Sequence, residues 1–140
     1  MLYGGYDHTI DKKGRIFIPA KFRVDLGEQF IICRGITGKQ CLCIYPFSQW
    51  EKLVQKLSEL PSSKSSGIKR FIFDGSFNVE FDAQGRIVVP PSLREYAGLD
   101  GSAHLIGMDS YIELWSSERW KDENEYTPEQ AFKDADMFDL

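Results

Sequence analysis

Apolar residues along this chain fall into short runs separated by Gly- and Pro-marked breaks. The runs show two periodicities. Tyr3 to Ile10, Arg15-Ile16-Phe17-Ile18, Phe30 to Arg34 and Cys41 to Tyr45 are short and rich in β-branched or aromatic residues, which predicts strands. The same holds for Phe77 to Phe81, Arg86-Ile87-Val88-Val89, Ala103 to Gly107 and Tyr111 to Trp115. Pro19 and Pro90 should end the strands before them, because proline cannot donate to a ladder. Short helices are expected at 20–26 and 91–97, stopped by Gly27 and Gly98. Phe47, Trp50, Leu53, Val54, Leu57 and Leu60 recur at helical spacing, so 47–60 reads as an amphipathic helix. Pro61 to Gly67 reads as a loop or a weakly helical link, with Ile68 to Phe73 leading on as a possible helix. Ser116 can cap a helix carrying Trp120. Thr127-Pro128-Glu129-Gln130 has the form of a capping box with Pro at the first helical position, ahead of a short, marginal helix.

This pattern is doubled. Residues 11–23 and 82–94 both read D-x-x-G-R-I-x-[IV]-P-x-x-x-R, at an offset of 71 residues. Beyond the motif, Gly35 answers Gly107, Leu42 and Ile44 answer Ile112 and Leu114, Tyr45 answers Trp115, and Trp50 answers Trp120. Each copy predicts a β-hairpin, a short helix and a second β-hairpin. Asp-x-x-Gly is the tight turn of the first hairpin: the carboxylate accepts backbone N–H groups just ahead, and Gly supplies a positive φ. About 45 residues cannot bury enough apolar surface alone, and the strands would leave open edges. The two copies should therefore interleave into one pseudo-dimeric unit, a single closed barrel. The expected organisation is a first repeat over 5–47, a helical linker over 48–75, a second repeat over 76–119 and an acidic tail over 120–140.

Charge supports a nucleic-acid partner only once it is located. The chain is 140 residues long with a net charge of −4. Residues 1–60 hold nine Lys/Arg and six Asp/Glu, residues 61–121 seven and eight, and residues 122–140 one and seven, so the acidity sits in the tail. Around the first turn Lys12, Lys13, Arg15, Lys21 and Arg23 gather against Asp11 alone. Net charge speaks to association, whereas clustering on one surface marks a DNA reader.

The doubled motif, the opening Gly5-Tyr6-Asp7-His8-Thr9-Ile10-Asp11 and the segment Tyr45-Pro46-x-x-x-Trp50 resemble the MraZ family over about residues 1–120. The resemblance implies tandem SpoVT-AbrB domains in a double-split β-barrel, mainly β with short helices and so α+β. It also implies a ring-like homo-oligomer, a nucleoid-associated cytoplasmic location, and repression of the division and cell-wall gene cluster that includes its own gene, through upstream direct repeats. Two features depart from the family. The turn Gly38-Lys39-Gln40-Cys41 is about two residues longer than usual, and the tail after Lys121 carries no family motif.

Lys12, Lys13, Arg15 and Arg86 are the candidate DNA-binding residues. Each arginine directly follows its turn, where a guanidinium can meet phosphates or read guanine bidentately. The alternative is that they pair with Asp11 and Asp82 and lock the turns. The second copy has Ala83 and Gln84 in place of the lysines, so the copies should contribute unequally. Arg23 and Arg94 read as structural, through a salt bridge or carbonyl contact. Cys33, Cys41 and Cys43 lack a fourth zinc ligand nearby and read as metal-free thiols. His8 and His104 read as core or surface histidines, and Trp50 and Trp120 as packing anchors. No G-x-S-x-G, H-E-x-x-H or Walker signature is present. The expectation is double-stranded DNA and a homo-oligomer as partners, with no catalytic site, cofactor, metal, membrane or small-molecule substrate. No apolar run approaches the length of a membrane span, and the first residues do not form an export signal. The acidic tail is read as a solubility element, with competition against DNA as the alternative. The rival for the whole chain is an antitoxin-like protein-interaction module.

Overall fold

Both Asp-x-x-Gly segments reverse the chain through the same hydrogen bonds. Gly14 N–H donates to the Asp11 carbonyl at 2.9 Å, and Gly85 N–H to that of Asp82 at 3.1 Å. The glycines sit at φ +83° and +81°, which a side chain would strain. The computed structural model describes residues 1–140. Before the first turn lies β1 (Leu2–Ile10) and after it β2 (Arg15–Phe17), followed by α1 (Ala20–Leu26), β3 (Phe30–Arg34) and β4 (Leu42–Pro46). Then come α2 (Phe47–Ser58) and α3 (Ser62–Asp74). The second copy supplies β5 (Ser76–Val79), β6 (Arg86–Val88), α4 (Pro91–Ala97), β7 (Gly101–Asp109) and β8 (Ile112–Ser116). Two helices end the chain, α5 (Ser117–Glu123) and α6 (Pro128–Met137). The fold is α+β, with an antiparallel sheet and short helices.

The strands pair across the copies, which corrects one expectation and fulfils another. The two motif turns do not close hairpins. β1 pairs with β7 of the other copy, β5 pairs with β3, and β2 pairs with β6. The halves are thus interleaved, as the incomplete size of one copy requires. They form two sheets, one of six strands in the order β1-β7-β8-β4-β3-β5 and one ribbon of two, β2-β6. The ladder is therefore open at β1 and β5, and the expected single closed barrel is not what the strands build. The order reads alike from both ends when equivalent strands are exchanged, which is a pseudo-two-fold. Its axis passes between Ile16 and Ile87 in the ribbon and between Cys43 and Glu113 in the sheet, each a pair of equivalent repeat positions.

A core of 20 buried residues fills the space between ribbon and sheet. Ile16 and Ile87 face it from the ribbon, Phe22, Leu26, Leu93 and Ala97 from α1 and α4, and Ile32, Leu42, Ile44 and Leu114 from the sheet. Tyr6 meets Phe22 edge-on at 5.2 Å between ring centres, a favoured aromatic geometry. Trp50 lies against Tyr45 and Phe73, and Trp120 against His104 and Trp115, so both tryptophans pack as expected.

The link over 61–67 is helical: α3 begins at Ser62 and runs unbroken to Asp74. Pro61 starts it, its carbonyl accepting the Lys64 and Ser65 amides at 3.1 Å each. Burial of Ser65 and Ile72 holds it against the sheet, so packing overrides the weak helix propensity of the serines. Ser116 Oγ accepts the Arg119 amide at 3.2 Å and caps α5. The Thr127–Gln130 capping box of α6 is formed in both directions. No helix is long and apolar enough to cross a membrane.

Candidate nucleic-acid interface

The ribbon has two unlike faces because strand side chains alternate. Ile16 and Ile87 point inward and are fully buried. Arg15, Phe17, Arg86 and Val88 point the other way. The antiparallel register sets Arg15 opposite Val88 and Phe17 opposite Arg86, so the two guanidinium groups lie on a diagonal of the ribbon's outer face. Their Cα atoms are then about 7–8 Å apart, the spacing of diagonal neighbours in such a ladder. Phe17 is 47% exposed and Val88 53%, and the Arg86 guanidinium sits 5.7 Å from the centre of the Phe17 ring. Phe17 and Val88 were not singled out from the sequence. The signal was there: in R-I-x-[IV] the variable position falls on the arginine's face.

Each arginine pairs with its turn aspartate and still keeps donors open. Arg15 Nε donates to Asp11 Oδ2 at 2.7 Å, and Arg86 Nε to Asp82 Oδ2 at 2.8 Å. The aspartates also take the backbone amides, Lys13 and Arg15 for Asp11, Gln84 and Arg86 for Asp82, at 2.8–3.0 Å. Only Nε is engaged in this way. The two Nη nitrogens of each guanidinium, which carry four of its five N–H donors, make no hydrogen bond within the chain. The turn carboxylate orients the guanidinium and leaves its outer edge free.

Those carboxyl groups titrate below the usual aspartate value of 3.8, chiefly through the backbone amide of Arg15 for Asp11 and of Arg86 for Asp82. A lowered folded-state value means the ionised turn is stabilised fully above 3.8, and that this contribution fades as pH falls through the lower folded value. Amide hydrogen exchange at Lys13, Arg15, Gln84 and Arg86 should therefore be insensitive to these groups from pH 7 to 5, after allowing for intrinsic rates. Protection should drop at acid pH below that of aspartate in a free chain.

Each turn is held from behind by the other copy. Val89 N–H donates to the Gly14 carbonyl at 2.8 Å, and Ile18 N–H to that of Gly85 at 3.2 Å. Arg94 of α4 reaches under the first turn, donating to the Val89 and Lys12 carbonyls at 3.1 and 3.2 Å. Arg23 of α1 lies under Gly85 in the equivalent place. Each lies beneath the turn of the opposite copy; Arg94 makes the expected carbonyl contacts, whereas Arg23 makes neither a hydrogen bond nor an ion pair.

The basic cluster inferred around the first turn is divided by the fold. Lys12 and Lys13 are exposed at the tip. Lys21 instead places its ammonium 3.3 Å from the centre of the Tyr3 ring, a cation–π contact. Arg23 is half-buried beneath Gly85, with its Nε buried and unpartnered, so it is set back from the first tip. The tips are unequal, with Ala83 and Gln84 exposed at the second.

The remaining candidates lie elsewhere. Cys33, Cys41 and Cys43 are free and buried. Burial pushes the Cys33 thiol up to about 12, and Cys43 is raised too, first by its hydrogen bond with Cys41 and then by burial. Cys33 and Cys43 are therefore protonated thiols at neutral pH and poor nucleophiles. No group of three or more His, Cys, Asp or Glu is arranged to hold a metal ion. His104 Nδ1 lies 2.8 Å from Asp7 Oδ1 and its ring stacks on Trp120 at 4.3 Å, so it is held in a packed surface cluster.

Comparison with known proteins adds to this geometry. The family described as "MraZ protein, putative antitoxin-like" matches residues 1–67 and again 72–139. The chain is 49% identical over 122 residues to a protein of Halothermothrix orenii named Transcriptional regulator MraZ, covering 86% of this chain and 84% of that one. A protein of the same name from Pelotomaculum thermopropionicum is 45% identical over 123 residues, covering 86% and 83%. Another from Moorella thermoacetica is 42% identical over 132 residues, covering 93% and 91%.

Proposed function

The chain belongs to the MraZ family, and on that premise we propose that it is a DNA-binding regulator of transcription that reads duplex DNA with the β2–β6 ribbon. The observation that carries this reading is the outer face of that ribbon. Arg15 and Arg86 lie on a rigid diagonal, each oriented by a turn carboxylate and each with both Nη groups free. A two-stranded ribbon fits the major groove of B-DNA, about 12 Å wide. There a guanidinium can grip a phosphate or pair with guanine, and Phe17 and Val88 can meet thymine methyls. Lys12 and Lys13 extend the contact towards phosphates on one side only, so the first turn contributes more charge than the second.

One ribbon makes few contacts and binds weakly. A ring-like homo-oligomer sets several ribbons side by side, and direct repeats upstream of a promoter convert weak sites into a stable complex through effective concentration. The regulator then represses by occluding the promoter of the division and cell-wall cluster containing its own gene, and works in the cytoplasm at the nucleoid. The two repeats over 5–47 and 76–119 serve as the reading units, with 48–75 as linker. No chemistry is required of any residue.

Fluorescence anisotropy on duplex DNA from the region upstream of the gene, at two salt concentrations, tests the proposal. Log affinity should fall about linearly with log salt, and Lys12→Gln with Lys13→Gln should reduce that slope by about 2 across all sequences, as expected for phosphate contacts. Binding that ignores salt, or no binding to duplex at all, transfers the chain to the protein-interaction reading.

A further inference from the structure

The final helix, α6, and a groove beside α3 are unpartnered and complementary. None of the α6 residues is buried. A helix of ten residues is marginal by itself, yet this one is closed by a capping box with Pro at its first position. Ala131, Phe132, Ala135 and Phe138 fall within one arc of about 120° on a helix of 3.6 residues per turn. Phe132 is 69% exposed and Phe138 65%. Acidic residues flank this stripe, and residues 122–140 hold seven Asp/Glu against one Lys.

The groove has the opposite character. Along α3 and the long turn after β3, Ile36, Ile68, Phe71 and Phe73 are 36–43% exposed, in two adjoining concavities that share Phe71. Clustered exposed apolar residues of this kind mark an interaction surface. Lys69 and Arg70 rim it, and neither has an ion-pair partner within the chain. Arg34 is anchored there by the Phe71 carbonyl at 2.9 Å and by Asp74 at 3.5 Å. The longer turn at 38–41, anomalous in the sequence, forms one wall, and Lys39 from it bonds to the Glu123 carbonyl where α5 ends.

We propose that α6 of one copy docks its Phe132/Phe138 stripe into the Ile68/Phe71 groove of a second copy, with its acidic flanks against Lys69 and Arg70. The charges are opposite, the apolar faces match, and in a single chain both surfaces are left open. Tail into groove is a head-to-tail contact, which closes into a ring when the rotation allows. The proposal rests on the homo-oligomer reading above and names the surface that builds it. The acidic tail thereby acquires a task other than solubility.

Site-directed cross-linking of the full chain tests it. Asp136→Cys, one turn from Phe132, is placed in one chain and Lys64→Cys, one turn from Ile68, in another of different mass, and the mixture is treated with a short bismaleimide; the three native thiols are buried and spared. Both substitutions are at exposed positions, and circular dichroism checks the fold. The expected result is a cross-linked heterodimer in the mixture. In a second arm, Phe132→Ser with Phe138→Ser should weaken self-association by about tenfold or more, read by sedimentation. A chain carrying both cysteines that cross-links only within itself overturns the exchange between copies. Intact assemblies without any cross-link overturn the tail contact while leaving oligomerisation standing. Monomers throughout, with no cross-link, overturn both.

Discussion

A chain with Arg15→Ala and Arg86→Ala is expected to bind duplex DNA about 100-fold more weakly than the native chain, since each well-placed guanidinium contact contributes roughly 1–3 kcal/mol of binding. The fold should survive. Asp11 and Asp82 would lose one partner each but keep two backbone amides apiece. The lost pairs are partly solvent-exposed, 35% and 22% at the arginines, so each contributes only modestly to stability. Anisotropy titration together with a thermal melt and sedimentation separates the two effects: affinity falls while melting temperature and assembly size hold. Arg→Lys at both positions restores charge but not the planar fork or the Nε anchor, so it should recover only part of the loss. Native affinity in the double alanine variant would remove the ribbon from the binding surface.

Gly14→Ala should be the most destabilising single methyl addition at the tips. Two costs combine. The residue is at φ +83°, where a side chain is strained by about 1–3 kcal/mol. A Cβ there would also stand 2.7 Å from the Val89 carbonyl oxygen and 2.8 Å from Arg94 Nε. That carbonyl oxygen is backbone and receives the Arg94 hydrogen bond, so it cannot move aside cheaply. The expected loss is about 3 kcal/mol, read as a fall in melting temperature of about 10 °C. Gly98→Asn is the control. Gly98 is left-handed at φ +65° and ψ +31°, a region asparagine tolerates, and its neighbour is the flexible end of Arg119. It should cost under about 1 kcal/mol. Equal melting of Gly14→Ala and the native chain would mean the first turn is not braced by the second copy.

Much of this was readable because it is local. Helices α1 and α4 fall at 20–26 and 91–97 as their flanking Pro and Gly indicate, and β3 covers Phe30–Arg34 as its apolar run does. The capping box of α6 is a four-residue signal and formed as written. Arg15 and Arg86 stand out as candidate site residues from their place after the turns, but type and spacing do not decide whether they are locked or free. The answer, Nε held and Nη open, depends on how far each carboxylate reaches. The neighbours Lys21 and Arg23 show the limit from the other side. Adjacent in sequence to the basic turn, one was drawn to Tyr3 and the other beneath Gly85.

What the amino-acid order determined alone is the repeat, the turns, the helix ends and the inward and outward phase of each strand, because chain geometry imposes those within a few residues. What only the tertiary structure decided is who pairs with whom. Two copies of one motif satisfy the same local pattern whether each folds back on itself or exchanges strands with the other. Exchange prevails in the structure: β1 lies on β7 and β2 on β6, with Ile16 and Ile87 meeting over one shared core. Burying both half-cores together is a property of the whole chain, and no window of the sequence contains it.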